Sequence, residues 1–273
     1  MIDSSLVHYE VFGRGQPVIF LHSWLGSWRY WVPSMEMISD RFRAYAFDFW
    51  GFGDSDRSRG QYAVGDYVDQ LLSFMRELGM VKTNLIGHGL GGVVAVQAAV
   101  KSPNQFLKII VSGMPVYGES LSLVAKPGGL RGLFGGGKPG EAWVKLLKQM
   151  NIGDEAMLRE LTEDTTKSGA VVQQIVDQLT TLDMREDLTS LKTPTLGVFG
   201  ENDVVVGPDH ATAFDTSATE HQMLQLKKLN HFPFLESTNT YNRMVLDFLT
   251  SPGATTVQIK EEWRRRLKQT EYL

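Results

Sequence analysis

The stretch Thr83-Asn84-Leu85-Ile86-Gly87-His88-Gly89-Leu90-Gly91-Gly92-Val93-Val94-Ala95 joins a short apolar run, a glycine cluster and an apolar run with helical spacing. That order predicts strand, sharp turn and helix. In turns of the form Gly-x-Ser-x-Gly, the same setting lifts a nucleophilic serine to the apex. Here the frame is Gly87-His88-Gly89-Leu90-Gly91, and the apex residue, Gly89, has no side chain. Glycine accepts a strained apex without steric penalty, so the fold is expected to persist while covalent acyl transfer from this position is lost. Two residues suited to acid–base chemistry come later, Asp203 just after an apolar strand pattern and His231 in a loop.

The elements that must position these groups alternate along the chain. Leu6–Phe12 and Pro17–His22 read as strands, the second continuously apolar as in a strand covered on both faces. Trp28–Ile38 has helical spacing, Arg43–Asp48 is the next strand, and Tyr62–Met80 is an amphipathic helix. After the Gly89 turn and its helix comes the strand Phe106–Ser112, and this βαβαβ rhythm predicts a mostly parallel sheet with helices on both faces. Between 113 and 191 the rhythm changes to a glycine-rich stretch over 127–140 and helices near 141–150, 154–162 and 169–182. Strands resume at Pro194–Gly200 and Met223–Leu226, and Thr240–Leu249 closes the pattern as a helix. The expected organisation is a core of 1–112 and 192–250, an inserted helical cap at 113–191, and a tail at 251–273. That tail carries Ile259, Trp263 and Leu267 beside Arg264-Arg265-Arg266 and is expected to pack on its own domain.

Composition narrows the function classes. The 273 residues are 42% hydrophobic and 21% charged, ample for one large α/β core. A net charge of −4 leaves no electrostatic footprint for nucleic acid. With no cysteine, thiolate catalysis, disulfides and cysteine metal sites are excluded. The glycine-rich stretch lacks the Lys-Ser/Thr ending of a phosphate loop, and neither metal nor cofactor is expected. No apolar run approaches the roughly 18 residues of a membrane span, and the first residues lack signal-peptide features, so a cytoplasmic location is expected. The sequence does not set the oligomeric state.

His22 in its loop, Asp48-x-x-Gly51-x-Gly53-x-Ser55, the Gly-x-x-x-Gly turn, Asp203 and His231 occur in an order that closely resembles the α/β-hydrolase superfamily over about residues 6 to 250. The resemblance implies an α/β-hydrolase fold with a helical cap and puts Gly89 in the nucleophile position, Asp203 in the acid position and His231 in the base position. It implies oxyanion-hole amides on Trp24 and Leu90, with Ser23 standing where relatives usually have glycine. Ser23, Trp28, Trp50 and Phe232 are expected to border a pocket for a small apolar or aromatic molecule. Ser23 and Ser112 are other hydroxyls in these motifs, and neither is expected to replace the missing one. The first functional expectation is therefore a hydrolase scaffold for a small ester, lactone or C–C bond, lacking its serine at Gly89 but keeping Asp203 and His231. The others are a non-covalent general-base enzyme of lyase or cofactor-free oxygenase type, and a ligand-binding pseudoenzyme.

Overall fold

In the computed structural model, the described residues are 2, 5–60, 62–118, 121, 139–150, 152–215 and 221–252. Their sheet has seven strands, β1 (Tyr9–Gly13), β2 (Gln16–Leu21), β3 (Phe42–Phe47), β4 (Thr83–His88), β5 (Phe106–Ser112), β6 (Thr195–Gly200) and β7 (His221–Leu226), in the order β1-β3-β2-β4-β5-β6-β7. Only β1 is antiparallel, paired to β3 at one edge, and its burial alternates along the strand. Val18, Ile19, Phe20 and Leu21 of β2 are completely buried, as a continuous apolar run in a two-sided parallel sheet requires.

The helices are α1 (Val32–Ile38), α2 (Val64–Glu77), α3 (Leu90–Lys101), α4 (Pro139–Gln149), α5 (Glu155–Leu179), α6 (Arg185–Ser190), α7 (Pro208–Asp215), α8 (Pro233–Glu236) and α9 (Thr238–Thr250). They cover both faces of the sheet, α1 packing on α9 and α2 on α3. The amphipathic reading of α2 holds for Tyr67, Leu71 and Phe74, buried on one stripe, but not for Leu78, expected on the same stripe, which caps the helix and is exposed because the helix stops at Glu77. The short helices α6, α7 and α8 carry too few turns to show a period, and the sequence reading did not place them.

Between β5 and β6 the structure differs from expectation at one point. The helices expected near 154–162 and 169–182 are one helix, the 25-residue α5. The polar run Asp164-Thr165-Thr166-Lys167-Ser168-Gly169 looks like a break, yet Asp164, Thr165, Ser168 and Gly169 continue the buried stripe that links Leu161 to Val172, Ile175 and Leu179. Asp154 caps this helix by accepting from the amides of Ala156 and Met157 at 2.9 and 3.0 Å. Helix α5 packs on α4 and reaches the 3-10 turn Trp28–Trp31 of the core. The glycine-rich stretch before residue 139 and the tail beyond 252 lie outside the described residues.

Candidate active site

Strand β4 ends at His88 and α3 starts at Leu90, so Gly89 makes the whole reversal, with φ 51° and ψ −114°. This left-handed conformation is one that side chains rarely adopt. The Gly89 amide donates to the Ser112 carbonyl at 2.9 Å, and its carbonyl accepts from Gly92 and Val93. Close approach, rather than φ, explains Gly91, where a Cβ would fall 2.2 Å from the Leu21 carbonyl. A Cβ on Gly89 would meet three atoms of the loop after β2: Ser23 Oγ at 2.1 Å, Ser23 Cβ at 3.0 Å and Trp24 Cζ3 at 3.3 Å.

Asp203 follows β6 and His231 follows β7, neighbouring parallel strands, which brings the two loops side by side. Asp203 Oδ2 lies 2.8 Å from His231 Nδ1, while its Oδ1 accepts from the amides of Val205 and Val206 at 2.8 and 2.9 Å. The pair is sealed, with 1% exposure on the His231 side chain and none on Asp203. Trp24, His88 and Phe232 pack on the His231 ring, at centroid distances of 6.0, 4.5 and 5.2 Å. Sequence reasoning missed Glu236, whose carboxylate accepts from the Asn230 amide at 2.8 Å and the Phe232 amide at 3.0 Å, clamping the loop on either side of His231. The signal was present as a glutamate within the single turn of a short Pro-initiated helix, a place for a carboxylate that ties back to preceding amides.

His88 donates Nδ1–H to the Ser112 carbonyl at 2.8 Å, and its Nε2 is buried without a partner. Burial, with His231 close by, holds its pKa well below the ordinary histidine value, so it is neutral. It lies beneath the turn rather than at its apex.

The loop after β2 is fixed by its backbone. His22 Nε2 accepts from the Phe49 amide at 2.9 Å, leaving Nδ1–H to donate to the Ser23 carbonyl at 2.8 Å, and burial lowers the His22 pKa to about 4. The Ser23 amide donates to Tyr30 Oη at 2.5 Å. Ser23 Oγ in turn accepts from the Leu90 amide at 3.2 Å. Among the described residues the Trp24 N–H has no hydrogen-bond partner. Of the Trp24 and Leu90 amides, only that of Leu90 is engaged among the described residues, by Ser23 Oγ.

Asp48 latches the neighbouring turn, accepting from the amides of Trp28 at 2.8 Å and Asp54 at 2.9 Å. Burial raises its pKa to about 6 despite these bonds. His8, Asp48 and Asp54 lie close enough together for a metal ion, but both Asp48 oxygens hold amides and Asp54 pairs with Arg29 at 2.7 Å, which describes a structural latch.

The structure therefore brings together Ser23, Trp24, Gly89, Leu90, Asp203 and His231, with Phe232 packed against the histidine. Trp28 and Trp50 make their contacts elsewhere. Trp28 packs on His8 with Arg29 over its ring, and the buried Trp50 lies under the Arg59 guanidinium at 3.8 Å.

Comparison with known proteins agrees with this fold. A family model described as the alpha/beta hydrolase fold matches residues 16–130. The chain is 25% identical over 261 residues to a pimeloyl-acyl-carrier-protein methyl ester esterase of Shewanella oneidensis, covering 89% of this chain and 95% of that protein. Among solved structures it resembles a meta-cleavage product hydrolase from Pseudomonas fluorescens, with TM-score 0.77, 21% identity and coverage of 91% and 95%. It also resembles the enol-lactonase from Burkholderia xenovorans, with TM-score 0.76, 19% identity and coverage of 92% and 98%. Sheet order, motif order and these similarities agree on an α/β-hydrolase fold for this chain.

Proposed function

We propose that the chain is a hydrolase of a small ester, lactone or C–C-bonded substrate with an apolar part, in which Asp203 and His231 act as the acid–base pair and residue 89 takes no covalent role. The observation that carries this reading is the sealed 2.8 Å bond from His231 Nδ1 to Asp203 Oδ2. It fixes the tautomer, so Nε2 is the free base, and it stabilises the imidazolium formed when a hydroxyl is deprotonated. The amides of Trp24 and Leu90 are the donors for a developing oxyanion. The similar proteins are named as a methyl ester esterase, a meta-cleavage product hydrolase and an enol-lactonase, and hydrolysis of an ester or lactone needs an oxygen nucleophile at a carbonyl carbon. In this reading 113–191 is the cap over the site, and the aromatic rings of Trp24 and Phe232 give the pocket its apolar lining.

The test is a panel of 4-nitrophenyl esters and lactones with the protein and its His231→Ala variant. The expected result is turnover that falls by about 10³ or more in the variant, as for loss of a general base in related serine enzymes. Turnover that survives His231→Ala in a folded protein overturns the reading. Tight binding of a substrate analogue with no turnover in either protein would favour the ligand-binding pseudoenzyme instead.

A further inference from the structure

Gly89 leaves the turn without a hydroxyl of its own, yet a hydroxyl is there. Ser23 Oγ lies 2.1 Å from where a residue-89 Cβ would be, far inside van der Waals contact. It projects from the facing loop into the space that a side chain at the apex would fill. We infer that Ser23 is the nucleophile of this site, delivered from the loop after β2 instead of from the β4–α3 turn. The inference rests on the general-base reading of His231 given above.

Three observations support it besides position. Residue 23 is held at both ends of its backbone, the amide by Tyr30 Oη and the carbonyl by His22 Nδ1–H, so its side chain departs from a fixed base. Such pre-positioning is what a nucleophile needs for a high effective concentration. The oxyanion donors also fit. A common donor is the amide just after the nucleophile, and Trp24, which follows Ser23, has an N–H with no partner among the described residues. Leu90, whose N–H already reaches Ser23 Oγ at 3.2 Å, is then the second donor. Finally, any side chain at 89 would collide with the Ser23 hydroxyl, so the absence of one is what lets that hydroxyl sit there.

The chemistry balances without a co-reactant other than water. Ser23 Oγ bonds to the substrate carbonyl carbon as His231 Nε2 takes its proton, and the carbonyl electron pair moves onto oxygen, held by the Trp24 and Leu90 amides. That pair returns, the C–O bond to the leaving alcohol breaks, and the alcohol takes the proton from His231. Water, deprotonated by His231, then attacks the acyl carbon. The Ser23 Oγ bond breaks, and Oγ recovers a proton from His231, leaving acid and alcohol.

The test labels the full chain with an alkyl fluorophosphonate and locates the adduct by peptide mass mapping. The expected result is one adduct, on Ser23, that forms at least about tenfold more slowly in His231→Ala. A second arm uses Ser23→Cys in this cysteine-free chain. Its single thiol is expected to be alkylated by iodoacetamide, and alkylation is expected to abolish residual esterase activity. An adduct mapped to another residue, or no adduct while turnover still depends on His231, overturns the assignment of Ser23 and leaves the general-base reading standing. Labelling and turnover that are both indifferent to His231→Ala overturn that underlying reading as well.

Discussion

At the scale of single residues, Asp203 divides its two oxygens between two tasks. Oδ1 receives the Val205 and Val206 amides and Oδ2 receives His231. Asp203→Asn keeps one oxygen for the amides but sets an NH2 donor against the Nδ1–H donor, which forces the ring into the wrong tautomer. The expected outcome is a fall in kcat of about 10³–10⁴, with far-ultraviolet circular dichroism unchanged. A variant retaining a tenth or more of the activity would show that the carboxylate does not orient the base. Asp203 and His231 were legible in the sequence because strand ends announce themselves and chain order limits which polar residues can meet. The contact between Ser23 and the Gly89 turn was not. It depends on a close approach between residues 67 positions apart, Leu90 and Ser23, and on a rotamer that no pattern encodes.

At the scale of elements, the β4–α3 turn and the loop after β2 are one interlocked unit. A serine placed at 89 alone must accept φ 51°, a strain of about 1–3 kcal/mol, and must also displace the Ser23 hydroxyl. Gly89→Ser is therefore expected to lower Tm by several degrees, and not simply to add a triad to an intact site. Ser23→Gly combined with Gly89→Ser removes the collision, so the double variant is expected to recover part of that loss and to hydrolyse esters from position 89. Thermal unfolding of the two singles and the double measures the coupling, and additivity within about 0.5 kcal/mol would show that the side chains do not compete for one space. The strand–turn–helix itself was legible from its glycines and apolar runs. The unbroken α5 was not, because threonine, serine and glycine on its buried stripe look the same in sequence as a polar interruption.

At the scale of the whole molecule, the mostly parallel sheet and its covering helices followed from apolar runs and their alternation, whereas the strand order did not, and protonation depends on depth, which no local pattern reports. His22 and His88 are buried in neutral form, the first with its pKa lowered to about 4 and the second well below its ordinary 6.5. When the chain unfolds below pH 6.5, each takes up a proton that the folded state does not hold, so each contributes stability that is present at neutral pH and lost on acidification. Asp48 acts in the opposite sense. Its pKa is raised from 3.8 to about 6, so below pH 6 the folded state holds a proton that the unfolded chain does not. Over pH 6 to 4.5 two histidines thus destabilise and one carboxyl offsets one of them. The unfolding free energy is expected to fall across that window by one proton's linkage, on the order of 1 kcal/mol per pH unit. Urea unfolding at pH 7, 6, 5 and 4.5 measures the slope. A flat profile would mean that one of the buried rings is protonated in the folded protein, and at His22 that would break the Phe49 bond that holds the Ser23 loop.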